Sequence, residues 1–129
     1  MIEDRVLERS LALVQMLHGR TREGKVVWRS AKSPDAFETD LEEDTLRIRI
    51  IPDEDFPNDP NVALDVVDRA SARLISTISN VTLRPVLDRK TREGLSPYAL
   101  LAETYEMARR KALKVDDVLG RVLESLRRQ

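Results

Sequence analysis

The chain contains no cysteine, which excludes a disulfide framework, a thiolate nucleophile and a cysteine zinc site. Histidine occurs once, at position 18. A lone imidazole needs an orienting partner and a nucleophile or water beside it to act as a general base. Aromatic side chains are few: Trp28, Phe37, Phe56, Tyr98 and Tyr105. That is poor material for the stacking platforms on which single-stranded nucleic acids are held. The net charge is only −1, so no bulk field draws the chain to nucleic acid or to an anionic membrane. No apolar run approaches the length of a bilayer span. The opening Met1-Ile2-Glu3-Asp4-Arg5 is charged, unlike a secretory signal. A soluble cytoplasmic protein is expected.

What is present is a strong order of hydrophobic periods. At 129 residues the chain matches a single domain with one core, and residues 1–129 are read as one α+β unit. Residues 2–18 place Ile2, Val6, Leu7, Leu11, Leu13, Val14 and Leu17 on a wide stripe, with Arg5, Glu8, Arg9 and Gln15 outside it. This predicts an amphipathic helix. His18 would then cap the last carbonyls of that helix, and Gly19 and Gly24 would bracket its exit.

Five strands are predicted next: Lys25–Ser30, Phe37–Leu41, Thr45–Ile51, Asn61–Val67 and Ala72–Ile78. The cleanest alternates Leu46, Ile48 and Ile50 against Arg47 and Arg49. Alternation with one polar side marks an antiparallel sheet packed on one face, and no helix separates the strands as parallel crossovers require. The second and third strands read as a hairpin, and Arg47 and Arg49 fall opposite Glu38 and Asp40 as a solvated cross-strand pattern. Pro52–Pro60 is too rich in proline for regular structure. In the long connection 80–95, Val81–Leu83 reads as a short edge strand stopped by Pro85.

Ser96-Pro97 announces a helix: a hydroxyl N-cap, then proline in the first turn, with Leu95 and Leu100 at the staple positions. Its buried stripe is read as Tyr98, Leu101, Ala102, Tyr105, Ala108 and Ala112. A break is placed near Leu113-Lys114, with a kinked continuous helix as the alternative. Asp116 or Asp117 then supports the first turn of a second helix, along which Val115, Val118, Leu119, Val122, Leu123 and Leu126 recur at threes and fours. The fold expected is therefore an N-terminal helix, an antiparallel meander of four to five strands, and two C-terminal helices on one sheet face. Its core is expected to include Leu46, Ile48, Leu64, Leu101, Tyr105, Leu119 and Leu123.

Candidate chemistry is sparse, and no catalytic, cofactor-binding or metal-ligating residues are assigned. The loop carboxylates Asp53, Glu54, Asp55 and Asp59 lack the glycine of a calcium loop and read as a solvated turn. Thr-Arg-Glu-Gly occurs at 21–24 and again at 91–94, read as two polar turns closed by glycine. The basic residues Arg89, Lys90 and Arg92, if they lay beside Arg109 and Arg110, would make a phosphate or acidic-peptide site. Cations at a helix C-terminus also complement its dipole without any ligand. Charge is unevenly placed. Residues 25–60 hold five Lys/Arg against ten Asp/Glu, and residues 81–129 hold eleven against seven. The two regions can meet within one chain, the favoured reading, or between copies. With two open sheet edges, the second arrangement leads to a homodimer.

Gly19…Gly24-Lys25-x-x-Trp28, together with Tyr98-x-x-Leu101…Tyr105-Glu106-x-Ala108-Arg109-Arg110-x-Ala112…Val115-Asp116-x-x-Leu119, resembles a group of small bacterial domains of unassigned function. These have a helix, a sheet and closing helices, and occur alone or beside larger effector modules. The resemblance implies a non-enzymatic interaction or adaptor unit with a protein partner and no cofactor, and it carries over no catalytic residue. Arg69-Ala70 departs from it by occupying a turn where glycine is expected. Nucleic-acid or phosphate binding through the basic group is the alternative.

Overall fold

The strand pattern in the middle of the chain builds the scaffold on which everything else rests. The computed structural model describes residues 2–52, 61–86 and 94–129. Helix α1 spans Ile2–Arg22 and is followed by β1 (Arg29–Ser30), β2 (Ala36–Asp40), β3 (Asp44–Ile51), β4 (Asn61–Asp68) and β5 (Leu74–Ile78). A short helix α2 (Asn80–Leu83), a 3₁₀ turn (Arg84–Val86), α3 (Pro97–Ala112) and α4 (Val115–Arg127) complete the chain. The five strands lie in chain order and each neighbouring pair is antiparallel. This is the expected α+β architecture: an N-terminal helix, the meander and two C-terminal helices, of which α3 lies against the sheet and α4 follows it.

The register explains the two faces. Phe37 lies opposite Ile48, which lies opposite Leu64, which lies opposite Ile78. This apolar row crosses four strands, and each of its side chains is at most 2% exposed. The next row runs Arg29, Glu38, Arg47, Asp65, Thr77 and points to the other side. Helix α3 covers the apolar row with Leu100, Leu101, Tyr105 and Ala108, and α1 adds Val14 and Leu17 to the same core. The Tyr105 ring meets Phe37 at a centroid distance of 5.6 Å and an interplanar angle of 55°, a tilted aromatic contact. Burial raises the Tyr105 phenol above its usual pKa.

Local signals decide the helix ends. Ser96 Oγ accepts the Ala99 backbone N–H at 3.1 Å, Pro97 opens α3, and Leu95 packs against the core to which Leu100 belongs. Thr104 is fully buried in α3 because its hydroxyl donates to the Leu100 carbonyl at 2.7 Å. Lys114, at φ 51° and ψ 51°, is left-handed and separates α3 from α4, so the helices are distinct. Asp116 and Asp117 stand in the first turn of α4, where carboxylates complement the dipole.

Several expectations are corrected. Helix α1 does not stop at His18. Gly19 stays helical, and the positive φ of +78° falls on Gly24. The extra turn aims Thr21 inward, where its hydroxyl accepts Trp28 Nε1–H at 3.2 Å. Tied there, Trp28 enters the core and the strand predicted over 25–30 shrinks to Arg29–Ser30. Val81–Leu83 belongs to a helical turn rather than an edge strand, anchored by fully buried Leu83. At the β4–β5 turn the left-handed position is Ala72 (φ 59°). Asp68 holds that turn together by accepting both the backbone N–H and the hydroxyl of Ser71, so a carboxylate takes the structural part expected of a glycine. The largest correction concerns Leu119 and Leu123. They are 55% and 53% exposed, and none of the α4 side chains is buried.

Candidate functional site

Three surfaces differ from an ordinary solvated exterior. The first is the polar sheet face. Arg29 on β1 grips Asp40 on β2 with contacts of 2.7 and 3.1 Å, and Arg47 on β3 reaches Glu38 at 2.8 Å. Arg49 then donates to both carboxylate oxygens of Asp65 on β4, at 2.8 and 3.3 Å, and Thr77 on β5 adds a third bond at 2.8 Å. The Arg29 contact, helped by the Thr45 hydroxyl, holds the Asp40 carboxyl below its ordinary pKa, and Asp40 in turn raises that of Arg29. Beside this ladder lies an open cleft of about 670 Å³ lined by Lys32, Asp35, Glu38, Arg47 and Arg49. Its charges alternate in sign and its arginines already have carboxylate partners. The arrangement stabilises a sheet face and offers no convergent charge to a ligand.

The second is the basic group. Arg109 and Arg110 lie in the last turn of α3, and both turn back to Glu106, at 3.4 and 3.2 Å. These are i, i+3 and i, i+4 pairs on an exposed helix. The predicted companions Arg89, Lys90 and Arg92 lie outside the described residues, as do Asp53, Glu54, Asp55, Asp59 and Phe56. Of the second Thr-Arg-Glu-Gly only Gly94 is described, and its φ of +76° matches that of Gly24. At the α3–α4 junction an open concavity of about 420 Å³ places Arg110, Lys111 and Lys114 beside Asp116 and Asp117, again with mixed sign. His18 is buried between α1 and α3. Its Nε2 faces Glu103 Oε2 at 3.4 Å, and its Nδ1 has no hydrogen-bond partner among the described residues. Among the described residues no nucleophile stands in hydrogen-bond contact with it. Among the described residues no group of three side chains of metal-ligating type gathers.

The third surface is α4. Val118, Leu119, Val122, Leu123 and Leu126 are between 37% and 61% exposed, and with half-buried Val115 they form one continuous stripe. At about 100° per residue these six positions fall within an arc of about 140°. Asp117, Arg121, Glu124 and Arg128 lie on the opposite side. Isolated exposed leucines are normal, but a contiguous apolar face rimmed by charge marks a contact surface. The α4 periodicity was plain in the sequence. The missing signal was the sheet's capacity, because its one apolar face is already occupied by the α1 and α3 side chains. Among the described residues no helix is long and apolar enough to cross a membrane. No family model matches the sequence, and neither a curated protein nor a solved structure matches it.

Proposed function

We propose that the protein is a non-enzymatic interaction module, an accessory or adaptor domain of bacterial type acting in the cytoplasm, and that α4 is its working element. The observation carrying this reading is the exposed apolar stripe at Val118, Leu119, Val122, Leu123 and Leu126. Leaving such a face in water forgoes about 25 cal/mol for each Å² that a partner could cover. The rest of the molecule acts as a rigid mount, because α3 is fixed to the sheet and the left-handed Lys114 sets the direction in which α4 leaves it. Phosphate or nucleic-acid binding is the competing reading, and its two described members, Arg109 and Arg110, are engaged by Glu106.

Site-specific photocrosslinking in the native cells tests the proposal. A crosslinker at Leu119 should give a discrete protein adduct that one at exposed Glu42, in the β2–β3 turn, does not give. No adduct from Leu119, or an adduct to nucleic acid instead of protein, would overturn it.

A further inference from the structure

We infer that the occupant of the α4 stripe is the α4 of a second copy, lying antiparallel across a two-fold axis near Gly120 and Arg121. This rests on the reading of α4 as a contact surface and names its partner. Two features of the helix carry it.

The stripe is palindromic. Val115 and Leu126, Val118 and Leu123, and Leu119 and Val122 are placed symmetrically about the midpoint between Gly120 and Arg121. Reversing the helix about that point returns an apolar side chain to the level of each apolar side chain, so two antiparallel copies match layer by layer. An isologous contact requires this self-complementarity.

The charges reverse in the same sense. Asp116 and Arg127 are eleven residues apart, which puts them within about 20° of one line along the helix and about 16 Å apart. Both border the stripe on the side of Leu123. In an antiparallel pair each flank faces its own reversed copy, so Asp116 of one chain comes within reach of the second chain's Arg127, and the contact occurs twice. A parallel pair would set this flank against the opposite one and keep Asp116 and Arg127 about 16 Å apart along the axis, so neither contact would form. The helix dipoles also favour the antiparallel arrangement.

A helix of 13 residues is about 20 Å long, so one such pair buries roughly 700 Å² in total, below the usual size of a stable complex. A weak dimer is therefore expected, with half-association between tens and hundreds of micromolar. Light scattering on the intact chain should show the mass doubling between about 10 and 500 µM. Leu119→Gln, in the middle of the stripe, should weaken association at least tenfold while leaving the monomer folded, because Leu119 is 55% exposed. Asp116→Arg and Arg127→Asp should each weaken it several-fold, and the double variant should recover most of the loss.

Because the chain has no cysteine, oxidation reports geometry directly. Val115→Cys mixed with Leu126→Cys should form a disulfide dimer. Val115→Cys alone should not, because antiparallel pairing holds its two copies too far apart for a disulfide. Since α4 buries no side chain, these variants should fold. Self-crosslinking of Val115→Cys alone, or no recovery in the double charge variant, would overturn the antiparallel pair. A monomeric mass at 500 µM together with a Leu119 adduct to a different protein would overturn self-pairing and leave the interaction reading intact. A monomer with no adduct would overturn both.

Discussion

Helices α3 and α4 follow each other directly, have similar lengths, and both carry an apolar stripe at helical spacing. Yet α3 buries Pro97, Leu100, Leu101, Thr104, Tyr105 and Ala108, and α4 buries nothing. The difference lies in what each can reach. Strands stand about 4.8 Å apart, so five of them make a surface about 20 Å wide. Two helices about 10 Å across cover that width. The α1 and α3 side chains fill the apolar face, and the opposite face carries the Arg29–Glu38–Arg47 and Arg49–Asp65 ladder. Periodicity says that a helix has an apolar side. Whether its own fold has room for that side is a separate matter.

The comparison can be broken most directly at the buried end. Ile48 is fully buried at the centre of the apolar row, and Ile48→Ala should cost about 2–5 kcal/mol from lost transfer energy and the remaining cavity. Urea unfolding measures it. A loss under about 1 kcal/mol would mean that the sheet's inner face is less tightly packed than α3 requires.

The polar sheet face gives an intermediate case. Asp65 is only 3% exposed yet carries a charge, and it accepts from Arg49 and Thr77. Asp65→Ala should cost about 1–3 kcal/mol, because two donors lose their acceptor at a largely desolvated position. A double-mutant cycle with Arg49→Ala checks the origin of that loss. A coupling near zero would reduce the ladder to a set of independent surface contacts.

These cases show which parts of the fold were legible. Leu46, Ile48, Leu64, Leu101 and Tyr105 were recognisable as core because each combines an apolar side chain with a periodic position on an element that the fold must cover. A lone carboxylate within Val-Ala-Leu-Asp-Val-Val looks like an ordinary outward residue until the register places Thr77 directly opposite Asp65 and brings Arg49 to it on the diagonal. His18 reads as a cap only if the helix ends there, but Thr21 and Trp28 make a buried pair that only a longer helix can form. Leu119 and Leu123 failed as core for the opposite reason: their pattern was correct, and the covering surface belongs to no element of this chain that the structure describes.

The helix starts provide a finer contrast. Ser96 caps α3 through its side chain, whereas the N-cap of α4, Lys114, makes no side-chain cap bond. Ser96→Ala should therefore cost about 1 kcal/mol, read as a lower urea midpoint with an unchanged slope. Lys114→Ala should remove no capping bond. If the two substitutions cost the same, the capping bond contributes little, and the start of α3 is held by the packing of Leu95 and Leu100.

The smallest effect is the most informative. Leu123→Ala removes three heavy atoms from a side chain that is already 53% exposed, at a helical position where alanine is the better helix former. At about 5 µM protein its stability should lie within about 0.5 kcal/mol of the parent, the range of surface substitutions that touch no packed feature. At several hundred micromolar the parent should gain stability with concentration, because self-association binds the folded state alone, and Leu123→Ala should gain much less. A loss of 2 kcal/mol or more at low concentration would place α4 in the core of the monomer, and α3 and α4 would then differ in degree only. Equal concentration dependence in the two proteins would instead leave α4 exposed but exclude Leu123 from the contact. The same substitution therefore separates burial within one chain from burial between two, which periodicity alone does not distinguish.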